Sequence, residues 1–469
     1  MAKVLRYTGE KTERVPPHSI DHVTHTARHF FEFHNAMPLF EHCHKVATRA
    51  REVSMVEPAA IEAFDHEDDS KSERACANSF LHQIMMFHVV RASRVASILS
   101  SCQEHSSYIP DMLMGVGLLH ELNVFNQLTS LNRSGAELPE YQDVLNGGKH
   151  PSLALLAMLA DYAVTHVDPN TRGFIGPQSS LFRTYDSESS AHQALVNDAV
   201  AGEKILAPIA ELFGYSSLAG DILRHAYHTN HPLIHDHVMS LFQDSAGLES
   251  LAKTQKIVEQ LKDEVAQKLN GNGFDVEIMF RSHKHPGKMM RKIFRSITEA
   301  HLNQIGIKCN KLEGDMCCYS LPVEAIEQRI NTYSMNTFYD SVAMKIVLKS
   351  YKGQKIDDMD VEQRDLAILE ARLFVDRCIG SKCNELGYKF NSQFREKPNG
   401  YKGWHVDTTL YPVHLLPFEV QLKTEEWHRI AEQGGAAHYL YLGGNPSLID
   451  VVKAKYHDIV HQGLNGHCK

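Results

Sequence analysis

The hydrophobic pattern of this chain changes period at one place, the cluster Asn270-Gly271-Asn272-Gly273. Upstream of it, apolar residues recur every three or four positions, as in FLHQIMMFHVVRASRVASIL, MLMGVGLLHEL and LAKTQKIVEQLKDEVAQKL. That spacing lays them along one face of a helix. Asn-Gly pairs favour turns and stop helices, so the last of these helices is expected to end at the cluster. Downstream, the β-rich runs VAMKIVLKS, HVDTTLY and PFEVQLK alternate with the helical segments EAIEQRINTY, RDLAILEARLFVDRCI and TEEWHRIAEQ. The two textures predict two domains, an all-α one and then an α+β one with helices packed on a mixed sheet. With 469 residues, 43% of them hydrophobic, each can bury a core. The expected organisation is a His-rich N-terminal extension over 1–75, a helical domain over 76–245, an α+β domain over 246–445 and a tail over 446–469.

Composition narrows the partners. A formal charge of −9 disfavours a protein that coats nucleic acid non-specifically, while leaving room for a local basic groove. No run of about 18 apolar residues occurs, and MAKVLRYTGEKTERVPPH lacks the apolar centre of a signal peptide, so a soluble, cytoplasmic protein without a membrane partner is expected. The nine cysteines are scattered without zinc-finger spacing, and reduced thiols are expected. His22, His25 and His29 fall on one helical face, but without an accompanying carboxylate they read as polar positions of an amphipathic helix.

The chemistry concentrates in the C-terminal half. In PFEVQLKT the strand period of two sets Phe418, Val420 and Leu422 against Glu419, Gln421 and Lys423. In HVDTTL, His405, Asp407 and Thr409 likewise oppose Val406, Thr408 and Leu410. Two such strands side by side make a polar floor. Asp340, ahead of VAMKIVL, adds a carboxylate that with Glu419 can hold Mg²⁺ while phosphates supply further oxygens. In SHKHPGKMMRKIF, a helix opened by Pro286 carries Lys288, Arg291 and Lys292 to one side, with Lys284 just ahead of it, a clamp suited to a triphosphate.

The segment KPNGYKGWH, followed by FEVQLKTEEWHRIAEQGGAAHYLY, resembles the RelA/SpoT alarmone synthetases, whose pattern runs NGYxSxH, a VEIQIRT-like strand, then AExGxAAHxxY. The resemblance covers about 250–443, with the basic helix and the aspartate-initiated strand preceding in the family's order. It implies a nucleotidyltransferase-like synthetase domain that transfers the β,γ-pyrophosphate of ATP to the 3′-hydroxyl of GDP or GTP. Asp340 and Glu419 match the Mg²⁺ ligands, Glu419 also drawing the proton from that hydroxyl. Arg281, Lys284, Lys288, Arg291, Lys292 and Lys345 fall on the ATP side. Asn399, Tyr401, His405, Gln421 and Lys423 fall on the acceptor side, where the ring of Tyr401, rather than its hydroxyl, stacks on the base. There are departures: Ser282 replaces an ATP-contacting arginine beside Arg281, Lys288 a serine, and Lys423 the arginine of the QxRT motif, while NGYxSxH becomes NGYKGWH. Transfer to adenosine nucleotides or to the 3′ end of tRNA therefore stays open, as does a lapsed nucleotide sensor.

Residues 76–245 resemble the HD-type hydrolase domain of long family members, through RVASIL, LLHEL, MLADYA and EKILAPIAELFGYSSLAGDIL. The Mn²⁺ site that the resemblance calls for is incomplete. Arg91 stands at the first histidine unless His88 substitutes, the His-Asp pair is His120-Glu121, and the acidic pair that should follow is Val124 and Phe125. Asp161 alone matches at the last position, so a lapsed hydrolase is expected. His235-Asp236 comes too late in the domain and reads as a surface pair. The TGS and ACT modules of long relatives have no counterpart in these 469 residues, and the regulator is left open.

Overall fold

The computed structural model describes residues 199–212, 215–306, 321–338, 340–410 and 414–432, with positions 28, 41, 43–49, 159–160, 162–163, 196 and 412 besides. The chain divides into two compact units, one of Met1–Gln193, Phe213–Leu218 and Asp450–Lys469, the other of Ala194–Leu212 and Ala219–Ile449. Nearly all the described residues belong to the second unit, an α+β arrangement. Among them no helix is long and apolar enough to cross a membrane.

A π-helical turn, Gly202–Leu206, leads into α1 (Ala207–Leu212), followed by α2 (Ser216–Asn230) and α3 (Pro232–Leu241). Helix α4 (Ser245–Gly271) starts where Asp244 accepts hydrogen bonds from the backbone N–H of Ala246 and Gly247, and buries Leu251, Thr254, Val258, Leu261, Val265 and Leu269 along one stripe. It ends at the Asn-Gly cluster, as its sequence predicts. Strand β1 (Phe274–Arg281) follows, and then Pro286 opens α5 (Pro286–Gln304) with His285 as its N-cap. Helix α6 (Val323–Ile330) precedes β2 (Val342–Tyr351) and the short β3 (Gln354–Lys355). Lys352 and Gly353 between these strands both have positive φ, the backbone of a tight two-residue hairpin. Helix α7 (Val361–Leu386), β4 (Lys389–Glu396), β5 (Lys402–Leu410), β6 (Phe418–Thr424) and α8 (Glu425–Glu432) complete the order.

The six strands form one mixed sheet in the order β1-β2-β6-β5-β4, with β3 paired to β2. Strands β2 and β6 are parallel and the other pairs antiparallel. Alternation then gives the sheet two unlike faces. Val342, Met344, Ile346, Phe418, Val420 and Leu422 are buried on one. Helices α4 and α7 pack on that side: Phe390 lies against Gly380, Ser392 Oγ is 3.2 Å from Asp376 Oδ2, and Thr254 Oγ1 accepts a 2.8 Å hydrogen bond from the backbone N–H of Leu416. Tyr388 closes the same junction through a 3.0 Å hydrogen bond to the Leu416 carbonyl.

Helices α3, α5 and α6 form another group. His237 Nε2 lies 2.8 Å from the Tyr333 carbonyl, and the Tyr333 hydroxyl donates to Ser296 at 2.8 Å. The start of α5 rests against α2 with almost no side chain between them. A Cβ on Gly287 would stand 2.1 Å from the Gly220 carbonyl oxygen, and one on Gly220 would stand 2.3 Å from the His285 ring. This close crossing fixes the point at which α5 begins, and with it the lysines on its first turns.

Candidate functional site

Asp340 occupies the turn just before β2, and three cations converge on it. Lys284 Nζ lies 2.5 Å from Oδ2 and Lys292 Nζ 2.7 Å from Oδ1. Arg281 Nη2 donates to the Asp340 carbonyl at 2.5 Å and stands 3.7 Å from Oδ2. The backbone helps, since the Lys284 N–H donates to the Ser341 carbonyl at 2.8 Å and ties the approach to α5 to the start of β2. Burial alone would raise the Asp340 pKa, but the charges and hydrogen bonds of Lys284 and Lys292 hold it well below the usual carboxylate range. Burial also pulls Lys284 down to about 8 despite the attraction of Asp340. The cluster is a carboxylate inside a ring of three cations.

The expected polar floor is present. β5 and β6 pair antiparallel with Asp407 opposite Glu419 and His405 opposite Gln421, so all four side chains share one face. Thr408 turns to the other face, where its hydroxyl bonds both the N–H and the carbonyl of Phe418. His405 Nδ1 lies 2.7 Å from Glu419 Oε1, and the Gln421 amide donates to Oε2 at 2.8 Å. Burial would raise Glu419, yet its hydrogen bonds with His405 and then Gln421 hold its carboxyl below the ordinary value, with the Asp340 charge opposing them. Asp407 is pushed up by burial against the pull of Arg395.

Tyr401 sits at the mouth of β5. Asn399 Oδ1 accepts from the Tyr401 N–H at 3.2 Å and Gly400 adopts φ +86°, so the turn itself aims the ring. The hydroxyl is 2.6 Å from His405 Nε2. Lys423 Nζ lies over the ring at 4.6 Å from its centroid and Lys397 Nζ at 5.5 Å. Gly403 gives Lys423 its path, since a Cβ there would come within 3.2 Å of the lysine Cε.

The structure thus gathers Arg281, Lys284 and Lys292 around Asp340, His405 and Gln421 around Glu419, and Asn399, His405 and Lys423 around Tyr401. Lys288 instead pairs with Glu211 at 2.6 Å. Arg291 lies on α5, and Lys345 lies on β2 in register with Gln421. His235 Nδ1 meets Asp236 at 2.8 Å on α3, with the aspartate exposed, a surface pair as expected. His120, Glu121 and Asp161, like His22, His25 and His29, lie outside the described residues.

One participant was overlooked in the sequence. Arg395 of β4 bonds Asp407 and places Nη1 3.2 Å from His405 Nδ1 and 3.8 Å from Glu419 Oε1. The signal for it was the alternation Asn391, Gln393, Arg395 in KFNSQFRE. His405, Asp407 and Glu419 form a group able to hold a metal ion, with ligand atoms all within 4.8 Å of one another. For Mg²⁺, which takes one or two carboxylates and fills its shell with phosphate and water oxygens, Asp340 and Glu419 suit in kind, since both are held in the ionised form. No protein-family model matches this chain, and no curated protein matches its sequence.

Proposed function

We propose that the chain is an ATP-dependent pyrophosphokinase that transfers the β,γ-pyrophosphate of ATP to the 3′-hydroxyl of GDP or GTP, giving AMP and an alarmone. One observation carries this reading: Lys284, Lys292 and Arg281 surround Asp340 just ahead of β2, and β6, which carries the buried Glu419, is the parallel neighbour of β2. Transfer between phosphates and a hydroxyl needs positioned anions and an in-line acceptor rather than a protein nucleophile. Lys284, Lys292 and Arg281 hold the ATP phosphates. Tyr401 stacks on the acceptor base, and Glu419 receives the proton of the 3′-hydroxyl. The 3′-oxygen bonds to the β-phosphorus, the bond from that phosphorus to the α–β bridging oxygen breaks, and AMP leaves. Mg²⁺ held by Asp340 and Glu419 with the phosphate oxygens would supply neutralisation of the charge on the transferred group. On the same reading, 246–445 is a nucleotidyltransferase-like synthetase domain acting in the cytoplasm, and 76–245 is an HD-type domain whose hydrolase site has lapsed.

The test is the full-length chain with γ-labelled ATP, GDP or GTP and Mg²⁺. Asp340→Asn and Glu419→Gln should each lower label transfer roughly a hundredfold or more, the several kcal/mol expected for losing a metal-binding carboxylate. Thermal melts check that both variants fold. Turnover within tenfold of wild type in either folded variant rules the assignment out.

A further inference from the structure

Stacking on a base uses the ring of Tyr401 and leaves its hydroxyl unexplained, yet that hydroxyl is not idle. It lies 2.6 Å from Nε2 of His405, whose other nitrogen lies 2.7 Å from Glu419 Oε1. The chain is sheltered, with His405 3% and Glu419 8% exposed. A neutral imidazole donates from one nitrogen and accepts at the other, and its neighbours decide which. An ionised carboxylate can only accept. If Nδ1 carried a lone pair, that pair would face the Glu419 oxygen at 2.7 Å with no proton between them. Arg395 Nη1 could donate to such a lone pair, but at 3.2 Å it is the longer contact. The shorter contact decides: the proton sits on Nδ1 and is given to Glu419, and Nε2 accepts from the Tyr401 hydroxyl.

We propose that the Tyr401 hydroxyl is a positioning group: by donating to Nε2 it fixes His405 as the Nδ1–H tautomer, so that His405 pins Oε1 of Glu419 and orients the carboxylate toward the acceptor hydroxyl. The orienting half of this proposal rests on the role assigned to Glu419 above. One residue then serves both stages, its ring setting acceptor affinity and its hydroxyl setting turnover. The rest of the surroundings is built to keep the carboxylate still. Gln421 holds Oε2 at 2.8 Å, and Arg395 bonds Asp407 on the neighbouring strand.

The experiment uses the full chain with ¹⁵N-labelled histidine rings, the His405 signals being assigned by their loss in His405→Asn. Wild type should show a protonated Nδ1 and an unprotonated Nε2, and Tyr401→Phe should move both toward a tautomer mixture. Kinetically, Tyr401→Phe should lower kcat about tenfold with acceptor KM within about twofold, the effect of one lost orienting hydrogen bond, whereas Tyr401→Ala should raise acceptor KM about 5- to 150-fold. His405→Asn, whose amide can still donate to Glu419, should keep more kcat than His405→Ala. A wild-type ring protonated on Nε2, or a spectrum unchanged in Tyr401→Phe, overturns the proposal, as does a Phe variant with wild-type kcat. If wild type labels no acceptor at all, the transfer reading fails, and the ring spectrum still decides the hydrogen-bond chain by itself.

Discussion

Lys288 and Lys292 stand one turn apart on α5, yet their ammonium groups go to different carboxylates. Lys292 reaches Asp340 at 2.7 Å, while Lys288 reaches Glu211 at 2.6 Å. From the sequence both belong to one clamp, because i and i+4 share a helical face and Glu211 lies far upstream. The structure separates them. Lys292→Ala should raise the KM for ATP about tenfold, as expected for one charge-assisted phosphate contact. Lys288→Ala should change it less than about threefold and should instead lower the melting temperature, since it removes the largely buried Lys288–Glu211 ion pair. Steady-state kinetics and thermal melts of the two variants check this, and equal effects on ATP KM would return Lys288 to the clamp. Asp340, Glu419, His405 and Tyr401 were legible because strand alternation and short motifs place them. Arg395 was not, because its long side chain passes its register partner Gly403 and runs along β5 to His405 and Asp407, a reach that no single-segment pattern supplies.

Among the elements, β2, β5 and β6 were readable because their apolar faces are buried and so their alternation is strong. The edge strand β4 was missed: its residues are mostly exposed or half-exposed, which blurs the alternation from which a strand is read. Helix α7 runs further than its apolar core RDLAILEARLFVDRCI, because Asp360 caps its start and Gly387, at φ 80°, caps its end in the left-handed conformation. The residue after that glycine locks α7 and β4 to the approach of β6. Burial pushes the Tyr388 hydroxyl up from 10.0 to about 12. A group whose folded pKa is raised contributes stability that is fully present below its unfolded value, here pH 10.0, and lost as pH rises through about 12. Tyr388→Phe should be less stable near neutrality by about 1–3 kcal/mol, having left the Leu416 carbonyl buried without its donor. It also lacks the alkaline loss, so the urea midpoints of variant and wild type should converge between pH 10.0 and about 12. A constant gap across that window would show that Tyr388 is not held protonated by the fold.

For the whole molecule, the change of texture at Asn270-Gly271-Asn272-Gly273 was enough to announce an α+β arrangement after it, because helix and strand periods are set by local geometry. The site needed more. Asp340 and Glu419 are far apart in sequence and become neighbours only because β2 and β6 pair in parallel, which no single-segment pattern reveals. The proposed function joins that geometry to the motifs that resemble alarmone synthetases, and its central claim is that a pyrophosphoryl group moves as one unit. Product stoichiometry tests this most directly. Purified wild-type chain is incubated with Mg²⁺, ATP and GDP, GTP or an adenosine nucleotide, and products are resolved by anion-exchange chromatography and mass spectrometry. The account predicts AMP appearing one-for-one with an acceptor heavier by two phosphates at its 3′ position. ADP with a singly phosphorylated acceptor, or AMP formed at the same rate without any acceptor, would contradict it.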